Sequence, residues 1–383
     1  MAKLGEIAII QSGGTPARSI AKYWNGGMIP WVKISDIKSK YTNETEEKIT
    51  EIGLENSSAK IFHKGTILYT IFATLGETTI LNIDAATNQA IAGISLKNDN
   101  ILLEYLYYYL IAQKEYVQRI GRGVAQNNIN MKILRDFDVP VPPRNEQFRI
   151  IDKLNRVDNL IHLRSQQIAK LDELVKARFV EMFGEPSSNP MGWLQTTVGA
   201  ECYYIKDGPH KSLTDVGIEN GYPFISVRNI VNGYIDFSTA KYISEADYRD
   251  AIKKCCPEKG DILYSKGGTT GIAKLVDIDI KFANWVHLAV LKFNHNEFNG
   301  SFFEKMLNCD YCYKQSQMLT KGIANRDLVL SAMAQIKIYK PPILLQNQFA
   351  AFVERVDQQK QTIQQSLEKL ELLKKALMQE YFG

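Results

Sequence analysis

Three short stretches contain residue types that could support catalysis or metal binding. LVDIDIKF at 275–282 carries two aspartates and a lysine, as a nuclease does, but the spacing is short and strand-like and no Pro-Asp pair precedes it. Cys309 and Cys312 form a CxxC pair, whereas a structural zinc site needs four ligands and the sequence has no second pair. KGGTTG at 266–271 has the glycines of a phosphate-binding loop without its lysine. We therefore interpret these stretches as a solvated strand edge, ordinary thiols and a glycine-rich loop.

Other catalytic signatures are absent from the sequence. It contains no GxxxxGK[ST], no HExxH and none of the Asn-Pro-Pro-Phe or Asp-Pro-Pro-Tyr motifs of amino-methyltransferases. An enzyme needs convergent acids, bases or metal ligands, and none can be assigned. We predict a chain that is not catalytic and holds no metal or cofactor. A stand-alone nuclease or methyltransferase is the less favoured alternative.

The composition bounds the class of protein. A chain of 383 residues with 45% hydrophobic residues can form two domains, each with its own core. The net charge of +4 permits nucleic-acid binding without predicting it. Five cysteines give no disulfide framework, MAKLGEIAIIQSGG does not resemble a signal peptide, and no apolar run reaches the ~18 residues of a membrane span. We expect a cytoplasmic protein with no membrane contact.

The sequence contains an internal repeat with an offset of 199 residues. KLDELVKARFVEMFG at 170–184 matches KLELLKKALMQEYFG at 369–383 at eight of fifteen positions. The match extends without a gap back to a proline pair in each half, at 142–143 and 341–342. Such repetition predicts two copies of one structural plan.

The segments that precede the proline pairs also correspond, with more divergence in their polar residues. We align 29–37 with 222–230, 64–76 with 259–271, Asn88–Ile91 with Asn284–His287, and 121–129 with 320–328.

Both tails are predicted to be long helices. Each begins after a proline pair and ends at a glycine, Gly184 or Gly383, and is rich in good helix formers. Apolar residues recur at 3–4 spacing over about four heptads, which favours a coiled coil. Arg164 in the first tail, and Lys360 and Lys374 in the second, interrupt the apolar pattern at positions that do not coincide. Each apolar stripe would be roughly 50 Å long, more than one small domain can cover, so we expect the two helices to pack against each other. The breaks that do not coincide indicate a heteromeric type of seam within one chain.

The remaining segments predict mixed α+β domains. ILYTIF, TTILNI, AIAGISL, GDILYS and HLAVLKF are short β-branched and aromatic runs typical of strands. The stretches 102–120 and 302–319 have helical length and spacing, and GEPSSNPMGW at 184–193 is a linker.

This order of elements resembles the specificity (S) subunit of type I restriction–modification systems over the whole chain. The resemblance rests on the repeated Pro-Pro…Gln entry at Gln147 and Gln346, the two Phe-Gly helix ends, NPMGW, and Lys-Gly-x-Ile-Leu-Tyr at 64–69 and 259–264. It implies two α/β (α+β) target-recognition domains joined and spaced by an antiparallel pair of long helices with pseudo-twofold symmetry. The implied boundaries are 1–141 and 185–340 for the recognition domains, and 142–184 and 341–383 for the helical spacers.

The resemblance also implies a function. Each recognition domain would read one half of an asymmetric, bipartite site in double-stranded DNA, and the helices would set the gap and dock two modification (methyltransferase) subunits. S-adenosylmethionine, ATP and Mg would belong to the modification and restriction subunits, and this chain would be the non-catalytic specificity subunit. Exposed polar positions of the helices and their loosely hydrophobic ends, such as Phe179 and Phe183 with Met378 and Phe382, could receive modification subunits or be ordinary helix surface. A coiled-coil scaffold with two protein-binding heads remains the alternative.

Given this resemblance, base contacts call for Arg, Lys, Asn, Gln, Ser and Thr on loops. In the first domain these candidates are Gln11, Ser12, Thr15, Arg18, Lys33, Ser35, Asn88, Gln89, Arg122, Gln126, Asn127 and Asn128. In the second domain they are Lys206, His210, Lys211, Arg228, Asn229, Lys266, Thr269, Thr270, Asn284, Trp285, Asn325 and Arg326. Gly13, Gly14, Gly267 and Gly268 are expected to shape the backbone rather than to contact bases.

Overall fold

The computed structural model describes residues 1–121, 128–323 and 325–383. The chain forms two compact units. Unit 1 comprises Met1–Ser165 together with Gln365–Gly383, and unit 2 comprises Gln166–Gln364. Each long helix therefore contributes one half to each unit.

Apart from the two long-helix halves, the elements of unit 1 precede the first long helix. Its strands are β1 (Ala2–Lys3), β2 (Ala8–Ser12), β3 (Ile29–Val32), β4 (Tyr41–Thr42), β5 (Glu47–Ile49), β6 (Ile67–Thr70), β7 (Thr78–Leu81), β8 (Ala86–Thr87), β9 (Ile91–Leu96) and β10 (Asp138–Val139). Its helices are α1 (Leu4–Ile7), α2 (Glu51–Glu55), α3 (Leu103–Ala112), α4 (Lys114–Gly121) and α5 (Met131–Arg135), followed by the first long helix, α6 (Arg144–Phe183).

Unit 2 repeats this order. Its strands are β11 (Leu194–Thr197), β12 (Cys202–Asp207), β13 (Tyr222–Ile225), β14 (Lys241–Ile243), β15 (Ile262–Ser265), β16 (Ala273–Leu275), β17 (Ala283–Asn284), β18 (Leu288–Phe293) and β19 (Lys337–Lys340). Its helices are α7 (Val198–Glu201), α8 (Glu245–Lys254), α9 (Gly300–Asn308), α10 (Asp310–Leu319) and α11 (Leu330–Met333), followed by the second long helix, α12 (Ile343–Phe382).

The two units share their sheet topology except that the larger sheet of unit 1 has one additional edge strand, β4. The larger sheet has the order β2-β9-β6-β7-β4 in unit 1 and β12-β18-β15-β16 in unit 2. A smaller sheet places β3 between antiparallel β5 and parallel β8, and β13 lies between antiparallel β14 and parallel β17 in the same way. The mixed α+β fold and the internal repeat predicted from sequence are thus confirmed.

The cores lie between the larger sheet and the helices. The central strands β6 and β15 are buried at all four positions, which explains their continuous apolar runs rather than an alternating pattern. In unit 1 the core is rich in tyrosine, including Tyr105 and Tyr108 of α3, whereas in unit 2 Phe302 and Phe303 of α9 fill the matching space.

The sheet register corrects one part of the sequence alignment. Val32 pairs with Thr87 in unit 1, and Ile225 pairs with Asn284 in unit 2. Asn284 is therefore equivalent to Thr87, not to Asn88, and the alignment by residue identity was wrong by one position. The alignment had matched Asn88 with Asn284. A slip of one residue matters here because it moves a strand side chain to the opposite face.

Each unit contains an antiparallel pair of helix halves. In unit 1, Lys153 donates to the hydroxyl of Tyr381 at 3.0 Å, and Lys374 lies 2.6 Å from Asp158. In unit 2, Lys360 lies 2.7 Å from Asp172 on the facing helix half. The two lysines that interrupt the heptad pattern are therefore interhelical ion-pair partners.

The ends of the long helices lie in the cores. Phe179 and Phe183 pack against Phe302 and Phe349 in unit 2, with ring centroids 4.7 to 5.8 Å apart. In unit 1, Met378 and Phe382 are buried together with α3. The hypothesis that these four side chains receive modification subunits is therefore wrong, because their apolar surface is already covered within the units.

Within the described ranges, no helix is both long enough and apolar enough to cross a membrane.

Candidate nucleic-acid interface

Four segments of unit 1 meet at one side of its sheets, and we call this surface site 1: residues 12–15, 71–73, 87–91 and 128–129. The N–H of Gly14 donates to the carbonyl of Thr87 at 2.8 Å. The N–H of Ile71 donates to Ala90 at 2.9 Å, and the N–H of Ile129 donates to Ile71 at 3.1 Å. Backbone bonds thus join the four segments independently of most of their side chains.

The equivalent segments of unit 2 form site 2: residues 207–211, 266–270, 284–288 and 325–328, with residue 324 outside the description. The N–H of Lys266 donates to His287 at 2.9 Å, and the N–H of Leu328 donates to Lys266 at 2.7 Å. These two bonds match those made by Ile71 and Ile129 in site 1. The backbone of the surface is therefore present twice in the chain.

Glycines allow the first segment of each site to approach its neighbour. A Cβ on Gly13 would lie 2.2 Å from the hydroxyl oxygen of Thr87, and one on Gly208 would lie 1.8 Å from the carbonyl oxygen of Asn284. No other residue fits at such distances. The predicted backbone role of the Gly13 position is thus explained by close approach.

The second segment is a turn of the same conformation in both units. Gly76 donates its N–H to the carbonyl of Thr70, and Gly271 donates to Ser265, each at 3.0 Å. Positive φ occurs at Ala73 in one turn and at Gly268, the equivalent position, in the other. The same turn is therefore built from the sequence IFATL (71–75) in unit 1 and KGGTT (266–270) in unit 2.

The side chains differ most where the backbones match. Lys266 lies 3.4 Å from Asp207 and 3.1 Å from Asp327, and its side chain is almost fully buried. The equivalent positions in site 1 hold Ile71, Ser12 and Asn128. A buried charge needs partners, so the lysine and its two aspartates form one ion-pair cluster. Site 1 has uncharged residues at all three positions.

Most candidates in unit 1 have accessible side chains. Gln11, Arg18, Ser35 and Gln89 are exposed, and Ser12, Thr15, Lys33, Asn88 and Asn128 are half-buried. Gln11 and Ser12 belong to β2 rather than to a loop. Arg122, Gln126 and Asn127 lie outside the described residues.

Glu47 forms ion pairs with both basic candidates next to site 1. Arg18 pairs with Glu47 and stacks 3.7 Å from the ring centroid of Trp24. Lys33 lies 2.9 Å from both Glu46 and Glu47. The hydrogen bond from Arg18 is the main cause that lowers the pKa of Glu47, so this carboxylate stays charged at neutral pH. In the free protein these cations are therefore already partly neutralised.

The candidates in unit 2 divide by burial. Lys206, His210, Lys211, Arg228, Thr269, Asn325 and Arg326 are exposed, and Trp285 is half-buried.

Four candidates in unit 2 are buried, and their predicted direct contact with bases requires correction: Asn229, Lys266, Thr270 and Asn284. The amide of Asn229 donates to Asp236 and Thr239, and that of Asn284 donates to Leu288 at 2.8 Å. Because their donor groups bind the protein itself, these side chains support the surface rather than reach outward from it.

Arg326 is the best-positioned base-reading candidate. Its guanidinium donates to the amide oxygen of Gln317 on α10, while its carbonyl accepts from Gly268 at 3.0 Å. Gln317 also donates to the carbonyl of Thr270 at 3.0 Å. The arginine is therefore exposed on a loop that hydrogen bonds hold in place, and one side of its guanidinium is oriented by Gln317.

Sequence reasoning missed His287 and Gln317. His287 lies in site 2, 4.8 Å from Trp285, and its ring borders Gly267. Gln317 orients Arg326 from a helix. His287 is equivalent to Ala90, which offered no candidate to match, and no local pattern marks Gln317.

The stretches first considered for chemistry are structural. Cys309 caps α10, and hydrogen bonding from Cys312 is the main cause that lowers its pKa. Asp277 and Asp279 are exposed between β16 and β17, so the predicted strand edge is wrong, although the solvation is as expected. Over residues 1–121, 128–323 and 325–383, no three His, Cys, Asp or Glu side chains are arranged to hold a metal ion.

Comparison with known proteins places these surfaces in context. The family model described as "Type I restriction modification DNA specificity domain" matches residues 1–173 and 209–372. The type I restriction enzyme MjaIX specificity subunit of Methanocaldococcus jannaschii is 28% identical over 92% of this chain and 85% of its own length. The EcoR124I/EcoR124II specificity subunit of Escherichia coli is 27% identical over 46% of this chain and 45% of its own.

Solved structures share the fold. The S subunit of a type I restriction–modification system from M. genitalium has a TM-score of 0.55 at 16% identity, with 100% of this chain and 95% of that chain covered. A chain from a structural study of complex assembly in the type I R-M system has a TM-score of 0.57 at 18% identity, with coverages of 100% and 96%. The duplicated fold, the two matched sites and a family match in both halves together show that the chain belongs to the type I restriction–modification DNA specificity family, as a specificity subunit.

Proposed function

We propose that site 1 and site 2 each read one part of an asymmetric, bipartite site in double-stranded DNA. The observation that carries this proposal is the repeated backbone of the two sites combined with their different side chains. A common frame can be placed against a groove in the same way twice, while different donors and acceptors select different bases.

The chemistry of the exposed side chains supports this division of labour. Arg326 can donate two bonds to the O6 and N7 of guanine, and Gln89 can pair with adenine through its amide. Lys206, Lys211 and Arg228 lie on exposed positions suited to phosphates, which fix position without reading sequence.

The chain itself performs no catalysis under this proposal. Two modification subunits would use S-adenosylmethionine to methylate an adenine in the selected sequence, and restriction subunits would use ATP and Mg for cleavage. The long helices would set the unread gap and dock the modification subunits. Leu160, Leu163, Leu372 and Leu373 are apolar and exposed on the helix halves of unit 1, which suits such a partner.

Methylation mapping tests the proposal. The chain is co-expressed with its modification partner, and methylated adenines in host DNA are mapped at base resolution. The expected result is one bipartite motif with a gap of fixed length. Arg326→Ala should relax the requirement at a position in one half only, with a cost of about 1–3 kcal/mol in discrimination.

Lys281→Ala is the matched control, because Lys281 is exposed in unit 2 but lies outside site 2. It should leave the motif unchanged. A stable complex that methylates without any sequence preference would contradict the proposal and favour protein partners for the two units.

A further inference from the structure

Ile323 is the most exposed large apolar side chain in the described part of the chain. Its relative exposure is 100%. It belongs to the loop that follows α10 and leads into site 2, so no packing within unit 2 accounts for its apolar character.

The base of this loop is closed by backbone hydrogen bonds. Lys321 and Asp327 exchange two backbone hydrogen bonds of 2.9 Å, and Asp327 is bridged to Gly267. Gly322 has φ of +83°, and a Cβ there would lie 2.2 Å from the carbonyl oxygen of Asn325. This closed base projects Ile323 from site 2 beside exposed Lys321 and Arg326.

The sequence repeats this arrangement. Lys321-Gly322-Ile323 corresponds to Arg122-Gly123-Val124 in the first half, whose structure is outside the described residues. A basic residue, a glycine and a β-branched apolar residue thus recur where neighbouring polar residues differ. A fully exposed isoleucine contributes nothing to the core of its unit. The recurrence of an apolar residue at this position therefore points to a shared contact outside the chain.

We propose that Ile323 is a wedge that enters a base step of the DNA bound at site 2. Apolar side chains of this size unstack neighbouring bases and kink the duplex, and the flanking cations stay near the phosphates. The proposal rests on the proposed function of site 2 and adds a role in DNA distortion. The side chain would not read a base; it would hold the duplex in a deformed state and favour sequences that unstack easily.

The test uses the full chain assembled with its modification subunits and a duplex carrying the mapped motif. 2-Aminopurine is placed in turn at positions of the half-site assigned to unit 2 by the Arg326→Ala variant. The methylated adenine is left unlabelled, because a methyltransferase flips its target base and would give its own signal. Unstacking at one step should raise fluorescence in the wild-type complex.

Ile323→Ala should abolish that rise and weaken binding to the motif on the order of tenfold, with little change for a non-specific duplex. Ile323→Leu should retain the signal. Met318→Ala is the matched control, because Met318 is also apolar and exposed but belongs to α10. It should behave as wild type.

The possible failures are distinguishable. A wild-type complex that prefers its motif without any unstacking signal would overturn the wedge and leave the proposed function intact. Loss of complex assembly by Ile323→Ala without DNA would identify a protein contact instead and also overturn the wedge. A wild-type complex with no preference for the motif would remove the proposed function itself.

Discussion

The side-chain oxygen of Gln147 accepts a hydrogen bond from the N–H of Leu102 at 2.8 Å. Its amide nitrogen donates to the carbonyls of Asn100 and Pro142, at 2.9 and 3.0 Å. Gln346 makes the same three bonds in unit 2, accepting from Asn299 and donating to Glu297 and Pro341. Both glutamines are fully buried. Each one joins the start of a long helix to the start of a domain helix, α3 or α9.

Gln147→Ala should destabilise unit 1 by about 2 kcal/mol or more, because one N–H and two carbonyls lose their partner in a buried site. Amide exchange of α3 measures the effect locally. Gln346→Ala should act equally on α9, and Arg149→Ala, at an exposed position of α6, should change neither. Unaltered exchange in α3 of Gln147→Ala would show that the three bonds add no stability.

Phe382 completes the core of unit 1 from the far end of the chain. Its ring lies 5.3 Å from that of Tyr105 and 6.1 Å from that of Tyr109, and 7% of the residue is exposed. Phe382→Ala should cost about 3 kcal/mol through lost burial and the cavity that remains. Limited proteolysis should then cut unit 1 faster. Leu372→Ala removes a large apolar side chain that is exposed, and it should leave the cutting rate unchanged.

The ion pairs of Lys266 can be tested by replacing the three residues of site 2 with their equivalents from site 1. Lys266→Ile alone should destabilise unit 2 by about 1–2 kcal/mol, because Asp207 and Asp327 lose their common partner, while Asp207 keeps Lys254 at 2.7 Å and Asp327 is partly exposed. The triple variant Lys266→Ile, Asp207→Ser, Asp327→Asn carries the residues of site 1 and should regain most of that loss. Amide exchange of β15 gives the free energies, and the difference measures coupling. Equal losses in the single and triple variants would mean that the residues act independently.

The sequence predicted those features that depend on local pattern. Proline pairs, glycine ends and apolar spacing were sufficient for the two long helices. The role of Gln147 and Gln346 could not be predicted, since their partners at the start of α3 and α9 lie about 45 residues away in the chain. Lys360 and Lys374 appeared as defects of a heptad until their aspartate partners on the facing helix half were known.

The candidate site was less predictable than the fold. Residue type selects side chains that can contact DNA, but burial depends on the sheet register, which local patterns do not determine. Asn284 and Asn229 were chosen as readers and lie buried in the protein. His287, which does lie in site 2, was not selected because its equivalent in site 1 is Ala90, whose side chain cannot donate or accept a hydrogen bond.

Glu47 offers a direct test of the electrostatics of site 1. It shares its carboxylate between Arg18 and Lys33, so Glu47→Gln should release Arg18 for DNA phosphates and leave Lys33 paired with Glu46 alone. We expect the assembled complex to bind duplex DNA several-fold more tightly at low salt. The slope of log K against log salt should steepen by about one unit.

Glu44→Gln is the matched control, because Glu44 is exposed on the same stretch and the change in charge is identical. The pKa of Glu47 is lowered below its ordinary value of 4.5, chiefly by the hydrogen bond from Arg18, so the pairing is complete above that value and is lost only as pH falls through the lowered pKa. Wild-type affinity should therefore show no titration of Glu47 between about pH 6 and 8. If Glu44→Gln tightens binding as much as Glu47→Gln, the gain comes from net charge alone and the loss of the Glu47 ion pairs with Arg18 and Lys33 is not its cause.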